Sequence, residues 1–304
     1  MKMTEIINKL QGIITVLNTP FTESNKIDEK SLRENIDLAL QAGVAGFLVP
    51  GKAGEVDKLT ERERIFLVSV VVDEVKGRSP VIGCASAEEE QKRNKIGRKL
   101  IDLGCDGILA DITYNSEQEY CKQVQSLADL KPEFLILQDW DFSGYGVPVP
   151  VIVRLFAEVD VFKGIKIEVV PAGIKYSELL EATSGQLHVS GGWAVMQFIE
   201  AMNRGVHAFM PTGMHRIYTE IYSLYQHNKK EAARDLFHEV LPVLAFSNQH
   251  LDISIHFFKR LLFRQGIYAT SRVRKPILKF DKYHEKIAED LIQLVMEITE
   301  SLEK

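Results

Sequence analysis

Residues 80–112 read PVIGCASAEEEQKRNKIGRKLIDLGCDGILADI. A short apolar run (Pro80–Ala85) precedes a charged amphipathic segment (Glu88–Leu103), and a second apolar run (Gly107–Ile112) follows. An unbroken apolar run of this length suits a strand buried on both faces, whereas the segment between has the spacing of a helix with one apolar stripe. That is one βαβ unit, and the alternation continues in both directions. Further apolar runs lie at Gly12–Thr19, Gly46–Pro50, Phe134–Gln138, Phe162–Ile167, Leu187–Ser190 and Ala208–Pro211. Amphipathic stretches lie at Asp28–Gln41, Thr60–Lys76 and Ser116–Leu130. Eight strands alternating with helices predict an all-parallel sheet, which closes most naturally into a (β/α)8 barrel.

From His215 onward only helical patterns occur, at Lys229–Phe246, Ser254–Gln265 and Tyr283–Leu302. The expected organisation is an α/β barrel over residues 1–225 with a C-terminal helical region, residues 226–304, packed on it. The 304 residues are 45% hydrophobic and 26% charged, an ordinary globular composition that leaves out disordered, collagenous and coiled-coil classes. The balance of 37 basic against 42 acidic residues gives no bulk attraction to nucleic acid or anionic lipid, so neither is an expected partner. No run reaches the roughly 18 apolar residues of a membrane helix, and the opening MKMTEIINKL lacks the apolar segment of a signal peptide. Cys84, Cys105 and Cys121 are odd in number and form no CxxC pair, as expected of free thiols in the cytoplasm. No clustered His, Cys, Asp and Glu spacing points to a metal.

In such barrels the chemistry sits at the C-terminal ends of the strands. The residues placed there are Gly51–Glu55 after the second strand, Tyr114 and Asn115 after the fourth, and Gln138, Asp139, Trp140 and Asp141 after the fifth. Ser190, Gly191 and Gly192 follow the seventh, and Thr212 and Gly213 the eighth. Lys166 alternates with Ile165 and Ile167, so it points away from both; if they face the helices, it points into the barrel. Desolvation there disfavours the ammonium, as a Schiff-base nucleophile requires. The other reading of Lys166 is a buried ion pair with Glu168, the next residue on its own face. His188 and His207 read as core residues, and His215, near the predicted mouth, is a minor acid–base candidate.

Gly51-Lys52-Ala53-Gly54-Glu55, then Leu59-Thr60 and Glu63-Arg64, looks like the GTTGE…LT…ER signature of the dihydrodipicolinate synthase/N-acetylneuraminate lyase family. Gly164-Ile165-Lys166 resembles that family's GIK motif, Gly104–Ile108 its run before the fourth strand, and Val273-Arg274-Lys275-Pro276 its C-terminal VR-P. The resemblance spans residues 10 to 290 in order. It implies that Lys166 forms a Schiff base with pyruvate or another 2-keto acid, with no cofactor, since the iminium is itself the electron sink. It also implies that backbone N–H groups of Gly51, Lys52, Ala53 and Gly54 hold the keto acid's carboxylate, and that the chain is a homotetramer, with a dimer as the alternative.

The departures fall on the proton relay. Lys52 and Ala53 stand where the family has two threonines, one of them a relay in its synthases. Gln138 takes the place of the catalytic tyrosine, and no arginine follows it. Tyr114 is the remaining hydroxyl for proton transfer. These changes predict a lyase other than a true dihydrodipicolinate synthase, a 2-keto-3-deoxy sugar acid dehydratase or aldolase, or a member that binds a keto or sugar acid without turnover. Lys52 either adds a cation for an acidic substrate or faces solvent on its loop. Gln138, Asp139 and Asp141 either contact sugar hydroxyls or form a solvated loop anchored by Trp140. Ser190 and Gly191 are further candidate substrate contacts, or part of a phosphate grip with Thr212 and Gly213.

Overall fold

The structure, a computed structural model, describes residues 8–303. The reading of the opening residues as carrying no signal segment rests largely on residues 1–7, outside the described part. Among the described residues, eight strands alternate with eight α-helices. The strands are β1 Gly12–Val16, β2 Gly46–Val49, β3 Val81–Cys84, β4 Gly107–Asp111, β5 Leu135–Asp141, β6 Phe162–Val169, β7 His188–Gly191 and β8 Ala208–Phe209. They follow one another around a closed barrel in chain order. The helices after them are α1 Glu29–Gln41, α2 Glu61–Val75, α3 Glu90–Asp102, α4 Glu117–Ala128, α5 Val149–Glu158, α6 Ala172–Ala182, α7 Phe198–Asn203 and α8 His215–Gln226. Three more, α9 Lys230–Ser247, α10 Leu251–Arg264 and α11 Lys282–Ser301, complete the chain. The expected (β/α)8 fold with C-terminal helices is the fold observed.

Local chemistry explains the boundaries. Asp28 and Ser116 cap α1 and α4 by accepting backbone N–H bonds, and Thr60 with Glu63 forms a capping box at the start of α2. The strands are buried almost throughout, as strands covered on both faces must be. Two strands run past their apolar stretch. β5 continues through Asp139 and Trp140 to Asp141, and β6 through Glu168 to Val169, paired in register from Ile136↔Gly164 to Asp141↔Val169. Gln138, Asp139, Lys166 and Glu168 stay in the sheet because each finds a buried partner.

The chain forms two compact units: residues up to Ile14 with Pro80–Met210, and Thr15–Ser79 with Pro211 onward. In the first, Ile108 of β4 packs towards Gly97 of α3, which marks the sheet's outer face. In the second, α9 packs against α8, α10 and α11, and α1 against α2 and α8.

Both units bury a neutral histidine. In the first, His188 is fully enclosed, bonds the Leu10 carbonyl at 3.0 Å and stacks on His207. In the second, His215 bonds Asn35 Oδ1 at 3.0 Å and Thr15 Oγ1 at 3.2 Å. Asn35 Oδ1 only accepts, so Nε2 of His215 carries the proton and Nδ1 accepts from Thr15. The predicted acid–base candidate His215 is thus a core residue with both ring nitrogens bonded. Desolvation holds His188 and His215 down to about 4. On unfolding each ring returns to about 6.5, so between pH 6.5 and 4 the unfolded chain takes up protons that the native chain refuses. Stability is therefore expected to fall as pH drops through that window, by up to about 3 kcal/mol per ring. Urea midpoints across it check this: His215→Gln should flatten the slope by about one proton, and an unchanged slope removes His215 from the effect.

Candidate active site

Alternation places the polar residues of the first unit. Ile108 faces the helices, so Asp111, three residues on, faces inward. Asp111 is in register with Gln138, Gln138 with Lys166, and Lys166 with Ser190. These four side chains therefore share one inner row. Lys166 is 6% exposed and points inward, as its flanking isoleucines predicted.

Lys166 Nζ lies 3.3 Å from Oε2 of Glu168, which is itself 4% exposed and two residues on along the same face. Gln138 Nε2 donates to that same oxygen, and the Trp193 N–H donates to Oε1 at 3.2 Å. A side chain at Gly192 would collide with both Glu168 Oε1 and Lys166 Cε, so only glycine lets the carboxylate lie there. The ion-pair reading of Lys166 is thus realised in the resting structure. It coexists with the nucleophile reading, since a carboxylate beside an ammonium is also a base beside an acid.

One layer towards the strand ends stands an aromatic cluster. Trp140 is in register with Glu168, and its ring centroid lies 4.7 Å from Phe142 and 6.4 Å from Trp193; Phe142 and Trp193 are 5.3 Å apart. Trp140 shares its face with Gln138, so these rings flank the Lys166–Glu168–Gln138 group.

Asp139 is corrected by this geometry. It lies on the opposite face from Gln138, paired with Lys175 Nζ of α6 and accepting from the Val147 N–H at 3.0 Å. Burial pushes its carboxyl up and the Lys175 ammonium down, while their mutual attraction opposes both. Asp141 is also committed: it accepts from the Ser143 N–H and hydroxyl, both at 2.9 Å, and from the Gly146 N–H at 3.2 Å. The expected solvated acidic loop is instead a strand end closed by an aspartate-capped turn. Ser190 is fully buried and donates to the Ile165 carbonyl at 3.2 Å, and Gly191 ends β7. Tyr114 sits half-buried on the loop after β4, its ring edge-on to Tyr120 at 5.5 Å. Sequence reading missed Asp111, Trp193 and Phe142. The first was available from the period-2 rule once Lys166 was assigned inward.

In the second unit, Gly51 leads into a 3₁₀ turn, Lys52–Gly54, whose Gly54 and Glu55 amides bond the Gly51 and Lys52 carbonyls at 2.9 and 3.0 Å. Asn18 Nδ2 and Thr19 Oγ1 donate to the Ala53 and Gly54 carbonyls at 2.9 and 2.6 Å. A Cβ on Gly54 would lie 2.7 Å from the Leu17 carbonyl, which explains the glycine. Lys52 and Ala53 are half-buried. Glu55 turns inward, its carboxylate accepting from Lys259 Nζ and, at 2.9 Å, from the Arg274 N–H. The Arg274 guanidinium spans Glu63 and the Lys58 and Asn25 carbonyls, and it holds the Glu63 carboxyl down to about 2.

The profile of the Dihydrodipicolinate synthetase family matches residues 9–294. The chain belongs to this family. Its relatives include a 4-hydroxy-tetrahydrodipicolinate synthase of Methanothermobacter thermautotrophicus, 32% identical over 165 residues (52% of this chain, 57% of that protein). An N-acetylneuraminate lyase of an Enterobacter species is 30% identical over 129 residues (40% of this chain, 42% of that protein). The chain spans 36% and 57% of the first two curated relatives it matches. The crystal structure of dihydrodipicolinate synthase from Rhodopseudomonas palustris shares the fold, with TM-score 0.86 at 20% identity over 94% of this chain and 98% of that one. That structure and the present chain thus share the barrel fold.

Proposed function

We propose that the protein is a class I lyase in which Lys166 forms a Schiff base with pyruvate or another 2-keto acid, sugar acids included. The observation that carries this reading is the buried, inward Lys166 with the Glu168 carboxylate at its amine, in a chain of this family. The family resemblance assigns the keto acid's carboxylate to backbone N–H groups of the Gly51–Gly54 turn, and Tyr114 offers a hydroxyl. No cofactor is needed for this chemistry. Free Cys84, Cys105 and Cys121 accord with a cytoplasmic location. The homotetramer, or a dimer, follows from the family resemblance.

The substrate is one that a synthase relay does not serve. Lys52, Ala53 and Gln138 leave the site without the threonine and tyrosine hydroxyls, and positioned proton-transfer groups typically contribute about 10² to 10⁴-fold in rate. Condensation of pyruvate with aspartate semialdehyde is therefore expected at least that far below a competent synthase. With Asp139 and Asp141 committed elsewhere, the rings of Trp140, Phe142 and Trp193 become the contacts for the distal part of a longer 2-keto-3-deoxy sugar acid. Steady-state assays on a panel of such acids, beside the synthase reaction, test the reading. Robust synthase activity, undiminished in Lys52→Ala, would overturn the specificity argument. Binding without turnover across the panel would favour the non-catalytic reading, which the replacement of the tyrosine by Gln138 motivates.

A further inference from the structure

We propose that Glu168 is the catalytic acid–base of Schiff-base formation at Lys166, taking over the proton transfers for which the hydroxyl relay is missing. The proposal rests on the reading of Lys166 as the nucleophile. Glu168 is the titratable side chain that the structure sets against Lys166 Nζ, at 3.3 Å and nearly out of solvent. Gln138 touches the same carboxylate oxygen, but an amide neither takes nor gives up a proton at neutral pH. Asp111 shares the inner row two strands away, roughly 10 Å at the usual strand spacing. The Trp193 N–H and the Gln138 amide both donate to the Glu168 carboxylate and so fix it against Lys166. The absence of a side chain at Gly192 keeps that position open to it.

The protons then balance without any co-reactant. Glu168 takes one proton from the Lys166 ammonium, freeing the amine. The amine attacks the keto carbon; the C–N bond forms, the carbonyl π bond breaks, and its oxygen takes the proton from Glu168. The resulting aminium returns a proton to Glu168, giving the neutral carbinolamine. Glu168 then protonates the hydroxyl, which leaves as water as the nitrogen lone pair forms the C=N bond. The products are a protonated imine on Lys166, one water and the carboxylate restored. A separation of 3.3 Å before substrate binds is compatible with this role, since catalytic hydrogen bonds tighten in the complex.

The test separates a proton carrier from a mere ion-pair partner by sign. Removing a neighbouring carboxylate destabilises the ammonium, so a purely electrostatic partner would leave more free amine and faster attack after Glu168→Gln. A proton carrier leaves attack slower, by about 10² to 10⁴-fold. The rate of adduct formation with pyruvate and cyanoborohydride, followed by intact mass, reads this directly. The wild type should form the adduct, Lys166→Ala none, and Glu168→Gln the same adduct at the reduced rate. Equal or faster capture in Glu168→Gln overturns the role of Glu168 while leaving Lys166 the nucleophile. No adduct in the wild type, or undiminished capture in Lys166→Ala, overturns the Lys166 reading and the proposal with it. Glu168→Ala opens room for a small acid, so added formate should restore capture in proportion to its concentration. No response to formate in folded Glu168→Ala counts against the proposal.

Discussion

Lys166→Ala and Lys166→Arg are both expected to reduce covalent capture of a keto acid to background, a loss of at least about 10⁴-fold if the proposed nucleophile is the right one. The two variants fail for different reasons. Alanine removes the amine. Arginine keeps the positive charge beside Glu168, but a guanidinium stays protonated and has no lone pair to offer. Their effects on folding should differ as well. Lys166→Ala strands the buried Glu168 carboxylate without its cation, which typically costs about 3–5 kcal/mol when such a pair is broken. Lys166→Arg retains a partner, so its urea midpoint should lie closer to the wild type's. Mass analysis after borohydride reduction reads capture, and peptide mapping locates the adduct. Capture that persists in both variants would move the nucleophile to another lysine, with Lys52 the first to examine.

The fold was legible because its signal is repeated eight times: a slip of two residues at any strand leaves the alternation intact. The site was legible only where a residue's neighbours reported its direction. Lys166 between two isoleucines declared its face, and the same rule named Glu168 as its partner. Asp139 and Asp141 were misread because three polar residues in four after an apolar run look like the end of a strand. The information that kept β5 going lay in Lys175, 36 residues away on α6. Local pattern carries no trace of such a partner. His215 was misplaced for the same reason: its position after Thr212-Gly213 suggested the barrel mouth, while Asn35 and Thr15, which enclose it, come from the other end of the sequence.

Lys259→Met is expected to destabilise the protein by about 3–5 kcal/mol, although Lys259 belongs to none of the motifs that marked the family. Its ammonium and the Glu55 carboxylate are fully buried against each other, and Lys259 also donates to the Arg272 carbonyl at 2.9 Å and lies 4.1 Å from the centre of the Phe21 ring. Burial lowers the Lys259 ammonium to about 8, with Glu55 opposing the shift, so the pair is held together at neutral pH by attraction that offsets a large desolvation cost. Methionine fills much of the same volume but leaves Glu55 with the Arg274 N–H at 2.9 Å and Lys58 Nζ at 3.6 Å. Adding Glu55→Gln removes the stranded charge and should recover most of the loss, a coupling that a double-mutant cycle in urea measures. By contrast, Arg154→Ala, which breaks the exposed pair with Glu117, should leave the urea midpoint close to the wild type's, because solvent screens such a pair. A loss below about 1 kcal/mol in Lys259→Met would show that Lys58 and Arg274 suffice for Glu55. The expected result also explains what holds the Gly51–Glu55 turn in shape. Gly54, Glu55, Glu63 and Arg274 fix the shape of the turn through the Leu17 carbonyl, Lys259 and one another. The Lys52 and Ala53 carbonyls join the same framework by accepting from the Glu55 amide and Asn18 Nδ2, bonds of the backbone that do not depend on which side chains stand at 52 and 53.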